Sequence, residues 1–142
     1  MSKSACFERH LDGRADSGAL DDGGVETMQY LLAIYSDERA AESMPREQMT
    51  DIINAYMAYT QALRDAKVWV GSNRLRPTSA ATTVRVADGR TQVLDGPFAE
   101  TKEQLGGYYL IDVPDLDAAL SWAARCPAAR YGTVEVRPIW VM

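Results

Sequence analysis

Histidine is all but missing from this sequence. The chain of 142 residues holds one, His10, in a stretch rich in Asp, Gly and Ser near its start. Without histidine, a folded domain lacks the side chain that most often carries protons near neutral pH and most often binds zinc. Cysteine is scarce too: there are two, Cys6 and Cys126, and no CxxC pair. Neither a zinc site nor a redox dithiol is therefore expected, and no metal or cofactor is implied. A reduced, cytoplasmic setting is the default for such cysteine usage. No apolar run approaches the about 20 residues of a membrane helix, so no membrane partner is expected. The opening "MSKSACFERHLDGR" has no apolar segment of the kind a secretory leader carries. Neither phosphate-loop pattern, GxxxxGK[ST] or GxGxxG, occurs. Excess positive charge is also lacking: the formal net charge is -5. That argues against nucleic acid, whose phosphates call for clustered Lys and Arg, and leaves open contact with a basic protein surface.

What is present is ordinary globular material. Hydrophobic residues make up 46% and charged residues 25% of the chain, enough to build one domain with a core. Residues 1–27 lack any sustained apolar period and read as a flexible extension. The folded domain is expected over 28–142. "QYLLAIY" reads as a buried strand, and a helix follows from about Pro45 to Ala66. Met49, Ile52, Ile53, Tyr56, Met57 and Leu63 are expected to form its apolar stripe. "VWVGSNRL" is a second strand. "ATTVRVADGRTQVLDG" is a hairpin turning at Asp88-Gly89. Thr101 to Gln104 fits a T-x-x-Q capping box, which predicts one helical turn after Ala99, closed by Gly106-Gly107. "YYLIDV" is a strand, Asp115 caps the helix "LDAALSWAARC", and "TVEVRPIWV" is the last strand, with Val134, Val136 and Trp140 on one face.

With the hairpin set aside, the order is the split βαβ, ferredoxin-like arrangement. The fold class is α+β. Two helices would cover one sheet face. Several strands are apolar on both sides, so the other face needs cover as well. A second copy of the same sheet supplies it, which predicts a homodimer forming an α/β barrel.

Candidate site residues cluster where strands end. Asp95 precedes Gly96-Pro97 and is the candidate general base; the commoner role of Asp at such a place is to fix a turn. Glu100 and Lys102 are candidates for holding a polar ligand, Lys102 by its charge, although such clusters are more often solvated. Tyr35 and Tyr108 offer hydroxyls. Arg137 is a candidate two-pronged contact for a carboxylate, or the partner of Glu135 on the same face.

"DGPFAETKEQLGGYYLIDV" resembles the signature of the DGPF proteins, a branch of the YCII-related family. "YLLAIYSDE", "SATTVRV" and "ALSWAARCPAA…GTVEVRPIW" resemble the family's opening strand, central strand, and closing helix and strand. The resemblance implies a dimeric α/β barrel and a pocket with a histidine and an acidic residue. Here the first long helix has no histidine, and Cys126 stands where the acidic residue is implied. Two functions stay open. One is a small cofactor-free enzyme using acid/base chemistry on a small cyclic or carbonyl compound. The other is a non-catalytic binding or regulatory protein, such as an accessory to an extracytoplasmic-function sigma factor, a role the resemblance also implies.

Overall fold

A computed structural model describes residues 26–142. The extension expected over 1–27, with Cys6 and His10, lies outside the described residues apart from Glu26 and Thr27.

Strand β1, Met28–Ser36, alternates. Tyr30, Leu32 and Ile34 turn to one side and are buried, Leu32 completely. Leu31, Ala33 and Tyr35 face the other way, as the two-residue period of a strand requires. Asp37 then accepts a hydrogen bond from the Arg39 amide at 2.9 Å and caps a short helix, α1, Glu38–Glu42. That helix was not expected from the sequence; five residues carry too little period to announce it.

Helix α2 runs Arg46–Asp65 with Pro45 before it. Tyr59 and Leu63 are buried, with Tyr56 packed beside them. The expected stripe is narrowed: Ile53 and Met57 are 42% and 65% exposed. The inward line steps through Tyr56, Tyr59 and Leu63 at three- and four-residue spacing, so Ile53 and Met57 are rotated off it. The helix ends in a Schellman closure. The Lys67 amide donates to the Arg64 carbonyl at 2.9 Å and the Val68 amide to Leu63 at 3.1 Å. Lys67 takes φ of 63° to make that turn, a conformation normally left to glycine.

Strand β2 is Trp69–Arg74. Strands β3, Thr82–Ala87, and β4, Arg90–Asp95, form the expected hairpin. Asp88 and Gly89 both have positive φ, 52° and 73°, which is the geometry of the tight turn that their pairing signals. Strand β5 covers Gln104–Val113, helix α3 Leu116–Arg125 and strand β6 Thr133–Pro138. Asp115 caps α3 by accepting from the Ala118 amide at 2.9 Å.

The helical turn expected after Ala99 is not formed. Residues 98–103 are bends and irregular chain with no helical turn, and Gly106-Gly107 lie inside β5. Gly107 is there for space: a Cβ on it would stand 2.8 Å from the Asn73 carbonyl oxygen. Trp140 falls past the end of β6 and is 86% exposed.

The main sheet has four strands in the order β2-β5-β1-β6, and all its neighbours are antiparallel. That is the ferredoxin-like order, with the β3–β4 hairpin inserted between β2 and β5. Helices α2 and α3 cover one face. The core between them holds Leu32, Leu63, Ile111, Val113 and Cys126. Ala119, Ala123 and Ala128 are small enough to let α3 and the turn after it approach the sheet. No helix among the described residues is long and apolar enough to cross a membrane.

Candidate functional site

The face of the sheet away from the helices carries a polar row over an apolar floor. Register sets the row. Asn73 pairs with Tyr108, Tyr108 with Ala33, and Ala33 with Glu135. Directly opposed residues point to the same face, so these four side chains cross the sheet in line. Ala33 is the small member, and its neighbours rise around it. A hollow of about 350 Å³ results, lined by Leu31, Ala33, Tyr35, Leu105, Tyr108, Glu135 and Arg137.

Each polar group in this cup has a defined partner or direction. Asn73 donates its side-chain amide to the Tyr108 hydroxyl oxygen at 2.8 Å. Tyr108 therefore keeps its own hydrogen to give to something above the sheet. Arg137 donates through Nη2 to Glu135 at 2.7 Å, two residues back on the same strand. That hydrogen bond, then the carboxylate's charge, raises the Arg137 pKa further above its ordinary value. The pair remains exposed to solvent.

Of the residues singled out in the sequence, three come together: Tyr35, Tyr108 and Arg137 all line the cup. Asp95, Glu100 and Lys102 do not line it, and all three are exposed. The turn after Asp95 is held by Gly96, whose φ is 104° and whose amide donates to Ala81 at 2.7 Å. Thr83 donates to the Gly96 carbonyl at 2.7 Å. Phe98 lies under the Arg85 guanidinium, 5.6 Å from it. Thr101 donates to the Glu103 carbonyl, and Gln104 to the Thr101 carbonyl at 2.6 Å. Gln104 also accepts from the Glu38 amide at 3.0 Å. The Glu38 carboxylate in turn accepts from the amide and hydroxyl of Thr78 at 2.9 and 2.8 Å. The T-x-x-Q spacing thus marks a tied loop that joins β5, α1 and the segment before the hairpin.

Asn73 and Ala33 were not anticipated. Their importance comes from cross-strand register, and strand pairing has no local signal that would have revealed it. A larger hollow, about 460 Å³, lies beside Met28, Pro138, Ile139, Trp140 and Val141. Apart from the Trp140 indole its side chains are apolar, so it can bury a group but has nothing to act on one.

Of the other tyrosines, Tyr30, Tyr59 and Tyr109 belong to the core, Tyr56 packs against it, and Tyr131 is exposed. Tyr59 donates to the Trp122 carbonyl at 2.7 Å, and Tyr109 shares a 2.7 Å bond with Thr60. Tyr56 and Tyr131 are joined at 3.1 Å. Burial raises the pKa of Tyr30, Tyr56, Tyr59 and Tyr109, so these hydroxyls stay protonated. Cys126 is fully buried, and burial raises its thiol as well. Among the described residues, no group of three or more His, Cys, Asp or Glu converges as a metal site.

A ferredoxin-like sheet with a polar cup on the face away from its helices is the setting in which the comparisons fall. The YCII-related domain matches residues 28–142, and the chain belongs to the YCII-related family. It is similar to an uncharacterised protein of Rhizobium meliloti (strain 1021), 42% identical over 118 residues that span 79% of this chain and 92% of that one.

Proposed function

We propose that this chain is a cytoplasmic, cofactor-free homodimeric enzyme of the DGPF branch, moving a proton on a small cyclic or carbonyl compound. The observation that carries the reading is the row from Asn73 to Glu135. A hydrogen-bond donor and a carboxylate flank a small apolar floor there. Tyr108 and Glu135 stand two strand spacings apart, about 10 Å between backbones, which leaves room for a single ring over Ala33. The Tyr108 hydroxyl donates to the substrate's carbonyl oxygen. The Glu135 carboxylate takes a proton from the adjacent carbon and returns it to another, so that an isomer forms with no net gain or loss of atoms. Arg137 holds Glu135 in place and offers its remaining donors to a substrate carboxylate. Cover of this sheet face by a second copy excludes water from the cup, which strengthens these contacts.

The non-catalytic reading, a binding or regulatory protein acting on a partner such as a sigma factor, draws on one observation. Cys126 occupies the place where an acidic residue is implied by the resemblance, and it is buried and protonated. That place does no acid/base work.

The test is a thermal-shift screen with small carboxylates and cyclic ketones, followed by turnover of any compound that binds. Glu135→Gln should abolish turnover and keep binding. Asp95→Asn measures whether the loop carboxylate also serves as a base: a hundredfold fall or more, roughly, would assign it that role. A protein that binds none of these compounds and keeps its fold would favour the regulatory reading.

A further inference from the structure

The β3–β4 hairpin stands apart from the body. Among the described residues, its strands make their extended contacts with each other alone. Pairing puts Val84 opposite Val93, Val86 opposite Thr91 and Thr82 opposite Asp95, so these six share one face. Val84, Val86 and Val93 are 61%, 65% and 59% exposed. The opposite face carries Arg85, Gln92 and Leu94, and Arg85 there is engaged with Phe98. A two-stranded hairpin is marginal in water by itself and needs an apolar face to lie on.

Among the described residues such a surface stands unpartnered, the open face of the main sheet. Four strands about 4.8 Å apart, with about six residues each rising about 3.3 Å, give a footprint on the order of 400 Å². That flat footprint is about half of the about 800 Å² that each partner buries in a stable complex. The sheet face alone therefore falls short, and the hairpin supplies the missing area. Its length, six residues per strand, is about 20 Å, enough to cross four strands. Charge matches as well. The one charged side chain on the apolar hairpin face is Asp95, and Arg137 at the rim of the cup, paired with Glu135 through Nη2, has further guanidinium donors for a second carboxylate.

We infer that the hairpin is an exchanged arm: each copy lays the Val84, Val86 and Val93 face across the sheet of the other and brings Asp95 to Arg137 of the partner subunit. This rests on the reading of the sheet face as a homodimer interface. The contact is the same in both directions, so it closes at two copies. Asp95, which lines no part of its own subunit's cup, then completes the cup of the other.

Sedimentation of the full chain across a concentration series tests this, with circular dichroism to verify folding. The intact chain should be a dimer. Val93→Glu should weaken dimerisation by roughly a hundredfold, because a charge would be buried in the contact. Leu94→Glu, one residue on and on the opposite face, should leave dimerisation unchanged. The double variant V84T/V93T keeps strand-forming side chains and should still weaken the dimer if Val93→Glu fails to fold. A dimer of native strength in both Val93→Glu and V84T/V93T overturns the arm and leaves the sheet interface standing. Equal weakening by Leu94→Glu overturns the assignment of the face. A monomeric intact chain overturns the arm and the sheet interface together.

Discussion

Asn73 and Tyr108 are directly paired across β2 and β5, and the amide of the first fixes the hydroxyl of the second at 2.8 Å. The bond crosses the edge strand of the sheet, so it orders a side chain that would otherwise swing in solvent. Tyr108→Phe should leave the melting temperature almost unchanged and reduce turnover roughly a hundredfold. Asn73→Ala should fall between the two, because the hydroxyl survives and only its orientation is lost. Binding by isothermal calorimetry beside turnover separates positioning from affinity.

Gly107→Ala should be costly. The new Cβ meets backbone, the Asn73 carbonyl oxygen at 2.8 Å, and β2 has to shift. A loss of about 1–3 kcal/mol is expected in chemical denaturation. The shift also displaces the Asn73–Tyr108 pair, so ligand affinity should drop along with stability.

Lys67→Gly should stabilise the fold. Lys67 holds φ of 63° to close α2, and relief of that conformation is worth about 1 kcal/mol. The greater freedom of glycine in the unfolded chain takes some of it back. A lower midpoint in urea for Lys67→Gly would contradict this account of the helix end.

Alkaline pH should unfold the protein progressively. Buried Tyr30, Tyr59 and Tyr109, half-buried Tyr56 and buried Cys126 all have raised pKa values. The folded chain keeps these protons where the unfolded chain gives them up, so stability falls as pH rises. The decline begins near the ordinary thiol value of 9.0, steepens past the phenol value of 10.0 and continues upward. Tyr59→Phe should make it shallower. Urea midpoints at pH 8, 9.5 and 11, taken as rough sampling points across this window, would measure the slope.

The fold was legible because its cues are local. Alternation in "QYLLAIY", the Asp88-Gly89 turn and the Asp115 cap each depend on neighbours within a few residues. The ferredoxin-like order followed from counting those elements. The loop after Asp95 was misread where a local rule lost to a long-range contact. A T-x-x-Q spacing suits a capping box, but Gln104 instead reaches Glu38 across the fold. The glycines after it serve strand approach rather than a helix end. In the site, Tyr35, Tyr108 and Arg137 were nameable from residue type alone. Ala33 and Asn73 were not, since a small residue becomes a floor only once register places tall neighbours on either side.

Cys126 lies in the core with its side chain wholly shielded. A thiol reagent can reach it only when α3 and the sheet separate. Replacing Cys6 by Ser leaves it as the single sulfhydryl, so the rate of its modification becomes an intrinsic clock for opening of the domain. Run with and without a bound compound, the clock would report how far occupancy of the distant cup slows that opening, with no label attached to the site itself.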